Sequence, residues 1–278
     1  MDLDHLPPLR DVLDAHGLMA KKSFGQHFLF DLNITRKIAR RAGLQAGDHV
    51  NEVGPGPGGP TRALLETGAQ VTAVEKDPRF LPLLEELSQA SGGALTVRLD
   101  DALTTDEATL AASRPTAVVS NLPYNVGTPL LIKWLTGPFT PRSLTLMFQK
   151  EVAERIVAAP GAEAYGRLAV IAQATADAKL VMEVSPRAFT PPPKVTSAVV
   201  RLVPHAARPD QALLDSLQAI TAAAFGQRRK MLRSSLKQMG GEAICETAGL
   251  DPSRRAETLD VEEFLALARA RQGRTDAQ

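Results

Sequence analysis

Asn121, Leu122, Pro123 and Tyr124 directly follow the apolar run Thr116-Ala117-Val118-Val119-Ser120. A carboxamide, a stiffened backbone and a phenol ring at the end of a buried strand suit a flat base that carries an amino group. The exocyclic nitrogen of adenine is a poor nucleophile, because its lone pair is delocalised into the ring. Two acceptors aimed at its hydrogens, the Asn121 side-chain oxygen and a carbonyl from Leu122 or Pro123, favour a pyramidal nitrogen with a localised pair. Stacking on Tyr124 holds that nitrogen at attack distance. No strong general base is required if the proton leaves after the transfer. A strand ending in a proline turn with a surface tyrosine looks the same in isolation, so other elements must decide.

Those elements lie upstream. His49-Val50-Asn51-Glu52-Val53 reads as a strand, and it runs through Gly54-Pro55-Gly56-Pro57-Gly58-Gly59-Pro60 into a helical segment, Thr61 to Thr67. Glycines let backbone approach a ligand closely, and Pro60 suits a first helical turn. Gly54, Gly56 and Gly59 satisfy the dinucleotide fingerprint, so a nicotinamide enzyme has to be weighed. A second strand, Gln70 to Val74, delivers Glu75, which can accept both ribose hydroxyls of either NAD or S-adenosylmethionine. Two acids favour the sulfonium cofactor. Glu52 sits inside the first strand, where a methyltransferase carries an acid near the cofactor's charged end. A third strand, Leu95 to Leu99, brings Asp100 and Asp101, either of which can accept from the cofactor's adenine amine. In parallel sheets, ligands bind beyond the carboxyl ends of strands where strand order reverses.

The chain's 278 residues, 44% of them hydrophobic, allow one large or two smaller cored domains. No apolar run approaches a membrane span, and the start lacks the basic and apolar regions of a signal peptide, so a cytoplasmic protein is expected. With Cys245 as the one cysteine, an intramolecular disulfide and a cysteine-rich zinc site are excluded, and no metal is expected. Net charge is +1, yet its distribution is uneven. Lys21, Lys22, Arg36, Lys37, Arg40 and Arg41 face a single acid, Asp31, between residues 20 and 41; Arg228, Arg229, Lys230, Arg233 and Lys237 face none between 227 and 238. Such runs are commonly solvated helix faces. An enzyme that grips adenine inside a polyanion needs them, because phosphate contacts supply most non-specific affinity.

Strands alternate with helices to about Asp177. Helices are expected over Asn33–Ala42, Pro78–Gln89, Pro129–Leu135 after a Thr128 cap, Lys150–Ala158 and Arg167–Asp177. Ala178–Val184 and Val195–Val203 read as two antiparallel strands. After Pro204 four helical stretches follow, Gln211–Ala224, Arg228–Gln238, Ile244–Ala248 and Val261–Arg271, with a frayed tail from Gln272. The division expected is therefore 1–204 and 205–278. Trp134 and Cys245 are assigned to packing.

Five motifs together resemble the ribosomal RNA adenine dimethyltransferases, and most of all their bacterial small-subunit branch. They are Phe24-Gly25-Gln26-His27-Phe28-Leu29, Glu52-Val53-Gly54-Pro55-Gly56, Asn121-Leu122-Pro123-Tyr124-Asn125, the run from Phe189 through Pro191-Pro192-Pro193-Lys194 to Val200, and Phe225-Gly226-Gln227-Arg228-Arg229-Lys230-Met231-Leu232. The resemblance covers nearly the whole chain, in order. It implies a Rossmann-like α/β fold, a seven-stranded S-adenosylmethionine-dependent methyltransferase sheet, followed by a small all-α RNA-binding domain. His27, the Leu29 backbone, Gly54, Gly56, Glu75, Asp101 and Asn121 would line the cofactor, with Asp101 preferred over Asp100 because the Asp-Ala-Leu order matches the family. Many members have Asn at the place of His27. Tyr124 and Phe189 would sandwich the target base, Phe189 being fixed by the prolines after it.

The activity implied is transfer of four methyl groups to two adjacent adenines in a hairpin near the 3′ end of 16S ribosomal RNA. The partner implied is that RNA in an immature 30S subunit, met by a monomer. Loop adenines suit such a site, since extruding an unpaired base costs least. Two rivals share the fold: a macrolide-resistance methyltransferase acting on 23S RNA, and a non-catalytic RNA-binding or transcription factor. Asn125 and the Phe-Gly-Gln-Arg-Arg-Lys stretch argue against the first, the intact set of Glu75, Asp101, Asn121 and Tyr124 against the second. A nicotinamide oxidoreductase is more distant, for want of a hydride-transfer site.

Overall fold

Alternation of β-branched and small apolar residues builds a seven-stranded sheet. The computed structural model describes residues 3, 6–18, 27–112 and 114–275; Lys21, Lys22, Phe24, Gly25 and Gln26 lie outside the described residues. The strands of the sheet are β2 (His49–Val53), β3 (Gln70–Glu75), β4 (Leu95–Leu99), β5 (Thr116–Asn121), β6 (Ser143–Gln149), β7 (Ala176–Val184) and β9 (Ser197–Pro204). Their spatial order is β4-β3-β2-β5-β6-β9-β7. The first five are parallel, and β9 runs antiparallel to β6. The chain winds outward from β2 to β4 and then returns to β5, so strand order reverses between β2 and β5. A separate two-stranded ribbon pairs β1 (Phe28–Leu29) with β8 (Phe189–Thr190), antiparallel.

Helices α1 (Leu9–Ala15), α2 (Leu32–Ala42), α3 (Gly59–Glu66), α4 (Leu81–Ala90), α5 (Glu107–Ala111), α6 (Gly127–Thr136) and α7 (Lys150–Val157) fill the connections. α2 shows how local sequence fixes the ends. Asp31 accepts the N–H groups of Asn33 and Ile34, and Gly43 closes the helix in a left-handed conformation. Val50, Val71, Ala73, Val119, Met147 and Val199 of the sheet share one core with Ile38, Leu64 and Leu65. Each larger aliphatic side chain buried this way contributes about 1.5–3 kcal/mol.

The compact units divide differently from a cut at residue 204. One holds residues 1–134, 138–153 and 179–203; the other holds 135–137, 154–178 and 204–278. The physical reason is α8 (Arg167–Thr175), whose Ala169, Val170 and Ala174, with Tyr165 before it, belong to the core of the helical unit beside Leu217, Ile220 and Phe264. That unit also contains α9 (Gln211–Gly226), α10 (Leu232–Ser235), α11 (Glu242–Thr247) and α12 (Val261–Thr275). α8 ends two residues before the expected Asp177, where β7 begins, and α12 runs on to Thr275 where fraying was expected. The basic stretch from Arg228 is not one helix: a turn precedes the four-residue α10. Among the described residues no helix is long and apolar enough to cross a membrane.

Candidate active site

β2 and β5 pair only as far as Asn51 and Val118 and then diverge. Ser120 bridges the split, its hydroxyl accepting from the Val53 N–H at 3.1 Å and donating to the Val53 carbonyl. Beyond the split lies a cleft open to solvent. Each strand of the reversal delivers one part of its lining. β2 supplies Gly54 and Gly56, both at positive φ (66° and 54°) that a β-carbon would strain. β3 supplies Glu75, β4 the pair Asp100 and Asp101, and β5 Asn121 through Tyr124. His27 and Leu29, from β1 and the residue before it, close a side. His27, Leu29, Gly54, Gly56, Glu75, Asp101 and Asn121 thus all line this one cleft.

Glu75 is buried, and its two oxygens accept from the Gly56 N–H at 3.0 Å and the Asp77 N–H at 2.7 Å. Burial pushes its carboxyl above the usual range, while those two N–H groups pull it back. Asp101 accepts from Lys76 Nζ at 2.7 Å and from the Leu103 N–H, and the lysine holds its carboxyl below the usual range. Asp100 faces the same cleft, with its oxygens taken by the Thr105 hydroxyl and the Asp101 N–H.

At the reacting end the Asn121 side-chain nitrogen donates to the His27 carbonyl at 3.3 Å. That bond sets the amide so that its oxygen is left without a protein donor among the described residues. The Pro123 carbonyl accepts from both the Val126 and the Gly127 N–H, at 3.1 Å each, in the first turn of α6. Of the two candidate main-chain acceptors, Leu122 is thereby the one left with capacity. The Tyr124 hydroxyl bonds Ser197 Oγ at 2.7 Å, and its ring lies 5.6 Å from that of His27, tilted by 31°. Burial raises the phenol's pKa, so at neutral pH the ring is an uncharged platform.

Two of the residues singled out in the sequence stand outside the cleft lining. Phe189 is 3% exposed and packs in the sheet core rather than lining the cleft, because its pairing with Leu29 turns the ring inward. Glu52 does not reach the cleft either. It is 1% exposed beneath α3, no hydrogen bond satisfies either oxygen, and the Thr61 hydroxyl opposite is equally unpaired. Burial lifts its carboxyl to about 8; the Thr61 hydroxyl, near enough to favour the charged form yet short of a formed hydrogen bond, opposes the rise, and the charge of Glu75 adds to it. The residues missed are Ser120, Ser197 and the His27 carbonyl. Ser120 could have been found, as a hydroxyl at a strand end beside Asn121; the other two depend on contacts across 73 and 94 residues.

In the helical unit, Arg229, Lys230, Arg233 and Lys237 are exposed and form no ion pair among the described residues. Arg228 differs, since it is tied to Glu257 at 2.9 Å and to the Glu163 carbonyl. A backbone bridge sets the exposed Arg255 alongside Met231, a cation that linear charge counting does not find.

The sequence pattern of the family described as ribosomal RNA adenine dimethylase matches residues 17–272. The chain belongs to the ribosomal RNA adenine dimethylase family. A relative from Phenylobacterium zucineum, named ribosomal RNA small subunit methyltransferase A, is 70% identical over 277 residues, covering 100% of this chain and 97% of its own. The solved dimethyladenosine transferase of Plasmodium falciparum superposes with a TM-score of 0.72 at 26% identity, over 87% of this chain and 96% of that one. A 23S rRNA methyltransferase, ErmE, gives a TM-score of 0.67 at 28% identity over 88% and 99%. Like the rest of its family, the chain is an S-adenosylmethionine-dependent methyltransferase. The cleft fits that donor. Glu75, Asp77, Asp100 and Asp101 line it with Lys76 as their one lysine, an acidic surround that suits a sulfonium and opposes a pyrophosphate. Glu75 keeps a lone pair on each oxygen for a ribose diol.

Proposed function

We propose that the chain dimethylates two adjacent adenines in a hairpin near the 3′ end of 16S ribosomal RNA, working as a cytoplasmic monomer on the assembling small subunit. The observation that carries the chemistry is the orientation of Asn121, whose nitrogen is engaged by the His27 carbonyl so that its oxygen is left free to accept. S-adenosylmethionine supplies an electrophilic methyl group when bound. Asn121 Oδ1 and the Leu122 carbonyl accept the two hydrogens of the adenine amine and localise its lone pair. Tyr124, held by Ser197, gives the base a flat face. Its phenol is neutral and already bonded, so it acts by stacking and positioning rather than as a base. The exposed cations of the helical unit supply phosphate contacts.

The target is favoured by the name and 70% identity of the bacterial relative, against 28% for the 23S methyltransferase. A non-catalytic role is disfavoured by the complete set of cleft residues. The deciding experiment incubates the protein with labelled S-adenosylmethionine and unmethylated small or large ribosomal subunits, then maps the label. Dimethyladenosine at two neighbouring positions of the small-subunit RNA is expected; label in the large subunit, or in neither, overturns the assignment. Asn121→Ala should abolish transfer while calorimetry still records cofactor binding. Wild-type turnover in that variant would remove Asn121 from the reaction.

A further inference from the structure

The loop that follows β4 is gripped from behind the cleft. Lys133, on α6, donates from Nζ to the carbonyls of Ala102 at 2.8 Å and Thr105 at 2.5 Å, and to Glu107 Oε1 at 2.9 Å. An ammonium has three hydrogens, and this one places all three. Glu107, itself buried, also accepts from Trp134 Nε1 at 2.8 Å. Within the loop the aspartates bond locally, Asp100 to Thr105 and Asp101 to the Leu103 N–H. Ala102, which carries one of the two anchored carbonyls, lines the cleft with Asp100 and Asp101. We propose that Lys133 is a positioning residue for the cofactor: it locks the loop from Asp100 to Thr105, and with it the wall that receives the cofactor's adenine, onto the helix that starts just after Asn125. The inference rests on the reading that the adenine lies against Asp101. Because α6 begins at Gly127, immediately after the residues that grip the target base, the same lysine keeps the two ends of the cleft in one register.

The test compares Lys133→Met with Glu107→Gln, which loses the ion pair but keeps both carbonyl bonds. Calorimetry with S-adenosylhomocysteine and with 5′-methylthioadenosine should show both ligands weakened about tenfold or more in Lys133→Met, with KM for the donor rising by more than kcat falls. Amide exchange across residues 100–105 should quicken in that variant. Glu107→Gln should lower thermal stability yet bind both ligands like the wild type; equal weakening in both variants would make Lys133 merely structural and overturn the proposal. Folded Lys133→Met with wild-type dissociation constants overturns it too. If that variant does not fold, Lys133→Met with Glu107→Leu removes the stranded carboxylate as well, and the same loss of affinity is required of it. Asp101→Ala separates the two readings: unchanged affinity there sinks the placement of the adenine, whereas weakened binding there with normal binding in Lys133→Met sinks the lysine's role alone.

Discussion

Glu52 is the residue least at ease in the fold, a carboxyl with two unsatisfied oxygens inside the α3 side of the sheet. Burial keeps its proton on to about pH 8 in the folded chain, where an ordinary glutamate releases it near 4.5. Between those limits the unfolded chain releases a proton that the folded chain retains, so stability falls as pH rises through the window. Glu52→Gln keeps the shape without the titration. The variant should match the wild type near pH 4.5 and exceed it by a few kcal/mol above about pH 8, measured by urea unfolding. A difference that does not change with pH would mean that a neighbouring group compensates the charge. Ser197 offers a second residue-scale prediction. Ser197→Ala frees the Tyr124 hydroxyl, at a stability cost of about 1 kcal/mol, and should raise KM for RNA more than KM for the donor. Equal effects on both would show that Ser197 supports the whole cleft and not the tyrosine.

At the scale of elements, the junction of α3 with β1 is the tightest in the cleft. A β-carbon on Gly59 would stand 2.4 Å from the Leu29 carbonyl, closer than such atoms approach, so β1 would have to move. Gly59→Ala should cost about 1–3 kcal/mol by thermal unfolding and weaken cofactor binding, because Leu29 lines the cleft. Normal stability there would imply that β1 is loosely held. The glycine loop and its flanking strands were legible in the sequence, since a β-branched run, a Gly-Pro cluster and an acid at the next strand's end are local signals. Phe189 was not. Three prolines after it suggested a rigid display of its ring, while its actual burial comes from a two-residue pairing with β1 that leaves no periodicity to read. The same limit explains β6, a strand buried on both faces for which no expectation was raised between the helices, and the basic stretch from Arg228, whose composition looks helical although the Leu232 and Arg233 N–H groups bond the Arg254 and Pro252 carbonyls.

For the whole molecule, charge is a matter of distribution. A chain of net charge +1 binds a polyanion only through local surfaces, and the exposed cations of the helical unit are one. Reversing Arg233 and Lys237 to Glu should weaken RNA binding and reduce the slope of log affinity against log salt by about 2, leaving cofactor affinity unchanged. An unaltered slope would mark the surface as solvated and idle. Leu29 meets Phe189 across 160 residues of chain. In a polypeptide still being synthesised, β1 therefore lacks the strand that pins it beside the cleft until about two-thirds of the length has been made. That wall is secured late in synthesis, well after the first glycine turn is in place.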